Sequence, residues 1–200
     1  MASQAHTPDL TRPRRRFTVE AYHSMVEAGV LGPDDRVELI GGEIVEKPAP
    51  DPQYAACIQR LHHFLQGSLG EVAAVRVRLP ITIPDYDEPE PDVAVVKPDP
   101  HEYDLNHPTP SDVLLLIEVA LSSAAYDRDV KLPLYARAGV PEFWLVDLKG
   151  DSIERRSAPD PGAGVYRSVA HFQRGEVVSS TILPQLMVLG DTVWGRRDRG

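Results

Sequence analysis

Three carboxylates stand at strand positions where solvation is hard: Asp92 at the head of DVAVV, Glu118 inside LLLIEVAL (residues 114–121), and Asp147 at the end of FWLVD. Strand ends tolerate charge, so Asp147 reads as an ordinary terminator. Glu118 is different, because its apolar run is flanked by Pro108, Pro110, Ser111 and Asp112 before and by Ser122 and Ser123 after. That pattern predicts a strand buried on both faces. An unpaired ionised carboxylate there costs several kcal/mol, so something must meet it. One partner is an arginine or lysine in a buried ion pair, which seldom adds net stability over an apolar replacement. The other is a divalent cation. Two carboxylates, a main-chain carbonyl and waters suit Mg2+, which prefers octahedral oxygen ligands at about 2.0–2.1 Å. Asp92 supplies the second carboxylate if its strand neighbours that of Glu118, as consecutive elements usually do.

With a period of two, Leu114, Leu116, Glu118 and Ala120 share a face, and the small Ala120 leaves space beside the carboxylate. The chain has only four lysines, Lys47, Lys97, Lys131 and Lys149. Lys131, on the helix that follows, is placed to fill that space and to polarise a water or stabilise charge growing on a phosphoryl group.

The elements that must position these groups follow from periodicity and punctuation. Thr18 to Ala28 has helical spacing, capped by Thr18 and stopped by Gly29. VELIGGEIVE (37–46) reads as a hairpin turning at Gly41-Gly42, which shows Glu38 and Glu43 to one side; Glu43 is the carboxylate taken as a site candidate. Gln53 to Leu69 carries an Ile58, Leu61, Leu65, Leu69 stripe, whereas the adjacent His62 and His63 cannot share a face. Strands are predicted over 71–83, 92–96, 113–121 and 143–147, with a helix from Asp127 to Ala138 that Pro133 bends or starts. Val165 to Phe172 and Glu176 to Ser180 suggest a terminal antiparallel hairpin. The order is that of a mixed α/β (α+β) domain around a central sheet.

The whole has 200 residues, 42% hydrophobic and 26% charged, which suits one ordinary globular domain over residues 17–194 with tails at 1–16 and 195–200. The single Cys57 sits in an apolar helical pattern, reads as a packed thiol, and favours a reducing, cytoplasmic setting. MASQAHTPDLTRPRRRF has basic residues with no apolar run after them, which predicts a flexible tail and neither a secretory signal nor a membrane anchor. A formal charge of −9 argues against coating nucleic acid by bulk attraction. It does not exclude a nuclease, because a bound cation cancels clustered carboxylates. There is no G-x-S-x-G elbow, P-loop or zinc-spaced Cys/His set.

EPDVAVV, the block LLLIEVALSSAAYDRDVKLPLYARAGVPEFWLVD and the earlier VELIGGEIVE together resemble the Uma-type restriction endonucleases of the PD-(D/E)XK nuclease superfamily, over roughly residues 16 to 190. The resemblance implies a restriction endonuclease-like core with a mixed sheet flanked by helices, an extra N-terminal helix and hairpin, and Mg2+-dependent cleavage of phosphodiester bonds in DNA, with Mn2+ a possible substitute. By the same resemblance Asp92, preceded by Pro91, takes the place of the PD aspartate and Glu118 that of the acidic residue in the second half-motif. Ala120 stands where a lysine is expected, and Lys131 fills that role from the helix. Glu43 is the match for a further acidic residue. In this reading Asp92, Glu118 and the carbonyl of Val119 hold the metal and Lys131 assists the attacking water. A second departure is the head of the second helix, where Gln53 and Tyr54 stand in place of a histidine. The implied partners are DNA and a second copy of the chain, as suits cutting both strands of a duplex. The competing expectation is a nuclease fold retained as a catalytically inactive binding or regulatory module. Convergence of Asp92, Glu118 and Lys131 around a cleft discriminates between the two.

Overall fold

The computed structural model describes residues 14–32 and 34–195. The expected tails fall largely on residues 1–13 and 196–200, outside the described residues.

A six-stranded sheet of order β3-β4-β5-β6-β7-β8 forms the middle layer. Its strands are β3 (Ala74–Val77), β4 (Val93–Val96), β5 (Val113–Ala120), β6 (Glu142–Asp147), β7 (Ser152–Asp160) and β8 (Val165–Gln173). Only β5 and β6 run parallel, joined by a helical crossover; the other neighbours are antiparallel. The central strands β4, β5 and β6 are mostly apolar because both faces are covered, with Glu118 the one charged residue inside β5. On one face α2 (Pro52–Leu69) lays Cys57, Ile58, Leu61, Leu65 and Leu69 against Val93, Val95, Leu115, Ile117 and Val119. On the other, Leu132, Tyr135 and Ala136 of α4 (Leu132–Arg137) cover Ala94, Leu116, Ala120, Phe143 and Leu145. Leu114 departs from the predicted alternation and packs on the α2 side, beside a register shift between Val95 and Val96.

Helix α1 (Val19–Glu27) is capped by the Thr18 hydroxyl, which accepts from the Ala21 N–H at 3.2 Å. The hairpin β1 (Val37–Ile40) and β2 (Glu43–Glu46) turns at Gly41 and Gly42, with φ of +59° and +78°. Two successive positive φ values are what a tight two-residue hairpin of right-handed twist requires. A Cβ on Gly42 would also lie 2.6 Å from Cβ of Arg16.

Three predicted elements are corrected. The strand expected over 71–83 is a 3-10 turn (Gly70–Val72) followed by β3, which ends where Arg78 adopts a φ of +50° ahead of Pro80. Ile81 and Ile83 are buried in a segment that joins no strand of the sheet and pairs only locally, Ile83 bridging Asp87, so their alternation reported burial more than sheet pairing. The helix expected from Asp127 begins earlier, as α3 (Ala124–Tyr126), widens into a π-helical turn (Asp127–Lys131) and continues as α4 with Pro133 in its first turn. The terminal hairpin is two structures. β7 and β8 extend the main sheet, while β9 (Val177–Ser179) pairs with β10 (Met187–Leu189) separately, ahead of α5 (Gly190–Trp194). Among the described residues no helix is long and apolar enough to cross a membrane.

Candidate active site

Val93 pairs with Ile117, so Asp92 and Glu118 face one another one step further along, just ahead of the start of β4 while β5 continues. Glu118 lies on the α4 side by strand alternation, whereas Asp92, just ahead of β4, reaches the sheet end between the two layers. Asp92 N donates to Glu118 Oε2 at 3.4 Å, and Val119 N donates to Asp92 Oδ2 at 2.7 Å. The N–H and C=O of a strand residue point to the same edge, so the Val119 carbonyl faces this gap as well. The hydroxyl of Tyr54, from the first turn of α2, donates to Asp92 Oδ1. The fully buried Tyr135 hydroxyl donates to Glu118 Oε1 at 2.7 Å. A tyrosine therefore fixes each carboxylate.

Lys131 reaches the same place from the opposite layer. Its Nζ lies 3.1 Å from Glu118 Oε1 and 3.2 Å from Glu38 Oε2. Asp127 and Lys131 are four residues apart and so share the helical face turned to the sheet, within a π-helical turn of the kind that recurs at functional sites. Asp127 accepts from the Ser123 hydroxyl at 2.8 Å. These groups border a half-open cleft of about 370 Å³ whose other wall is the hairpin face bearing Arg36, Glu38, Val45 and Lys47.

Four buried carboxylates, Glu38, Asp92, Glu118 and Asp127, thus share one buried ammonium. The imbalance shows in their acidities. Burial pushes Asp92 up to about 6, although the Tyr54 hydroxyl and the Val119 amide resist. Burial pushes Glu118 to about 7 against the pull of Lys131, with the charges of Asp92 and Glu38 adding to the rise. Burial and Glu118 push Asp127 to about 7. Burial alone would lower the pKa of Lys131, but Glu118, Glu38, Asp92 and Asp127 outweigh it and raise the value, so the side chain stays an ammonium.

Of the residues singled out in sequence, Asp92, Glu118, Val119 and Lys131 converge. Glu43 does not. It shares the hairpin face but sits at the turn, roughly 7 Å further along, exposed and ion-paired with Arg14 at 3.3 Å. Glu38 occupies the cleft in its stead. Asp147 lies outside, accepting from the Lys149 and Gly150 amides. Glu38 was visible as the other hairpin carboxylate, and Tyr54 as the residue at a histidine's usual place. Asp127 and Tyr135 carried no sequence signal beyond helical position.

The donor set suits a hard divalent cation: two strand-end carboxylates, a main-chain carbonyl and an uncompensated negative charge. As arranged, with Lys131 between Glu118 and Glu38, the described residues present no group of three or more His, Cys, Asp or Glu ready to hold an ion.

A comparison with curated proteins yields no match. Among solved structures the chain is similar to that described as "Crystal structure of a putative nuclease belonging to DUF820 from Anabaena variabilis ATCC 29413", with a TM-score of 0.69 and 14% identity, covering 89% of this chain and 97% of that one. At that identity the likeness establishes the fold. The profile of the family Uma2, whose description is "Putative restriction endonuclease", matches residues 19–189. With residues 19–189, most of its length, matched, the chain belongs to the Uma2 family, described as "Putative restriction endonuclease".

Proposed function

We propose that this protein is a metal-dependent endonuclease that hydrolyses phosphodiester bonds in DNA, with Mg2+ as the cation and Mn2+ as a substitute. The observation that carries the reading is the convergence of Asp92, Glu118 and Lys131 from three separate elements at one end of the sheet, lining a cleft open to solvent. Asp92, Glu118 and the Val119 carbonyl are the residues that would hold the metal. A bound divalent cation supplies Lewis-acid stabilisation of a phosphoryl oxygen and a lowered water pKa. Tyr54 and Tyr135 orient the two carboxylates from outside. Lys131, held as an ammonium, cannot accept a proton; it donates hydrogen bonds that align the attacking water and offset negative charge growing at phosphorus. Glu38 anchors Lys131 from the hairpin, as the acidic residue of that hairpin nearest the site in place of Glu43.

Incubation of supercoiled plasmid with the purified protein, with and without Mg2+ or Mn2+, tests the reading. Metal-dependent nicking or linearisation that disappears in a folded Glu118→Ala variant is expected. Undiminished cleavage by that variant overturns the assignment.

A second reading is supported by the closure of the ion pairs. Lys131 bridges Glu118 and Glu38, and both Asp92 oxygens have donors, so the charged groups have partners without a metal. A catalytically inactive binding or regulatory module fits that arrangement. Calorimetric titration with Mg2+ and Mn2+ separates the two, since an inactive module of this kind takes up neither.

A further inference from the structure

Beside the candidate metal ligands, the cleft wall carries three basic side chains that the proposed chemistry does not use: Arg36, Lys47 and Arg78. Arg36 and Lys47 are neighbours at the open end of the hairpin, where Lys47 N donates to Arg36 O at 2.7 Å. Arg36 gives one guanidinium N–H to the Pro48 carbonyl at 2.6 Å, while its buried Nε has no partner among the described residues. Arg78 sits opposite Asp92, its N–H bonded to the Asp92 carbonyl at 3.2 Å, in the left-handed backbone conformation that terminates β3.

One anion meets two of these cations. Glu90 Oε1 pairs with Lys47 Nζ and lies 3.8 Å from Arg78 Nε. Glu90 is two residues before Asp92 in the extended EPEPD segment, and both line the cleft. The Glu90 carboxylate oxygen therefore occupies an anion cradle one short backbone step from the candidate metal ligands. A phosphate oxygen has the charge and hydrogen-bonding capacity to take its place.

We infer that Lys47 and Arg78, with Arg36 behind them, form a phosphate subsite for the nucleotide adjoining the scissile bond, and that the Glu90 carboxylate is its internal competitor. This rests on the nuclease reading and specifies how the strand is held. Substrate backbone displaces Glu90 from Lys47 and Arg78. The cost of that displacement lowers affinity for anions that do not also engage the metal carboxylates. The lining otherwise includes Glu38, Glu46, Asp51, Asp92, Glu118 and Asp127, so a polyanion gains little from the cleft until these cations are released.

The test uses the full chain and a short fluorescent single-stranded DNA oligonucleotide in EDTA, read by anisotropy across a salt series, beside plasmid cleavage in Mg2+. Glu90→Gln is expected to tighten binding about threefold or more, the scale of one partly exposed charge interaction. Lys47→Ala and Arg78→Ala are expected to weaken binding and each lower the salt slope by about 1. Thermal melts confirm folding, and Arg78→Ala, at a more exposed position, keeps the test decisive if Glu90→Gln does not fold. Cleavage by the wild type with binding unchanged in folded Glu90→Gln and Arg78→Ala overturns the subsite and leaves the nuclease reading intact. Binding altered as expected, with no cleavage under any metal, upholds the subsite and removes the catalytic reading. Neither binding nor cleavage by the wild type overturns both.

Discussion

Lys131 Nζ lies 3.1 Å from Glu118 Oε1, and both side chains are almost wholly buried. A pair at that depth is held less by its own attraction than by the cost of leaving either charge alone. Glu38 completes it at 3.2 Å on the other side of the ammonium. Taking the lysine away therefore exposes two carboxylates to each other, whereas taking Glu118 away leaves Lys131 with Glu38.

Lys131→Ala is predicted to destabilise the fold by about 3–5 kcal/mol, the usual cost of breaking a buried pair from one side. Urea denaturation in EDTA measures this. Mg2+ binding should survive in the variant, because the carboxylates remain, while cleavage falls about 100-fold or more, as for loss of one preorganised electrostatic donor. Turnover close to the wild-type value in folded Lys131→Ala protein would show that the ammonium is structural only.

Acidity gives a second test. Asp92 is pushed up to about 6 and Glu118 and Asp127 to about 7 in the folded chain, whereas unfolded carboxyls titrate near about 4. Between those limits the folded chain binds more protons than the unfolded one, so stability falls as pH rises. The melting temperature in EDTA is therefore predicted to fall as pH rises from about 4–5 through 7, the window between the unfolded and the shifted values, and to level off toward pH 8 as far as these groups decide it. Mg2+ should restore stability at pH 8 and have little effect at pH 5, and Glu118→Gln should flatten the profile. A wild-type melting temperature that stays level or climbs from pH 5.5 to 8 in EDTA contradicts the crowding of buried carboxylates described above.

Tyr54→Phe removes one hydrogen bond to Asp92 and nothing else, because the ring still fills its place against the core from the first turn of α2. Orienting partners of metal ligands typically change affinity by about 10–100-fold when lost. The predicted result is weaker Mg2+ binding by calorimetry, at the lower end of that range, with cleavage recovered at high Mg2+. An unchanged Kd for Mg2+ would mean that Val119 N alone orients Asp92.

The two hairpin carboxylates should behave oppositely. Glu43 is exposed and, among the described residues, pairs with exposed Arg14, so Glu43→Ala is expected to change stability by less than about 0.5 kcal/mol and cleavage hardly at all. Glu38 is buried against Lys131 and also accepts from Glu90 N at 3.1 Å, so Glu38→Ala should be strongly destabilising and should lower turnover. Comparable denaturation midpoints for the two variants would refute the placement of Glu38 in the cleft.

Much of this was legible in the chain. The run LLLIEVAL determined a strand buried on both faces, and its one carboxylate determined that a charged partner had to arrive from elsewhere, because an isolated charge in such a place is too costly to persist. Gly41-Gly42 set the hairpin turn, and the Ile58, Leu61, Leu65 and Leu69 stripe set the buried face of α2. These are local statements, readable because pleat and helix repeat at fixed periods.

Which groups share the cleft was decided only by the tertiary structure. Glu38 and Glu43 lie on one hairpin face, and only docking of the hairpin over the sheet end makes one buried and the other exposed. Tyr54 and Asp92 are 38 residues apart and meet because α2 packs across β4. Asp127 and Lys131 share a helical face by their spacing of four, but only the packing of that helix over the sheet end brings Lys131 to Glu118 and Glu38. Likewise, the alternation of residues 71–83 and of the C-terminal segments reported burial without naming a partner strand. Side-chain period is a property of the segment itself, whereas pairing, depth and charge balance belong to the surfaces that close around it.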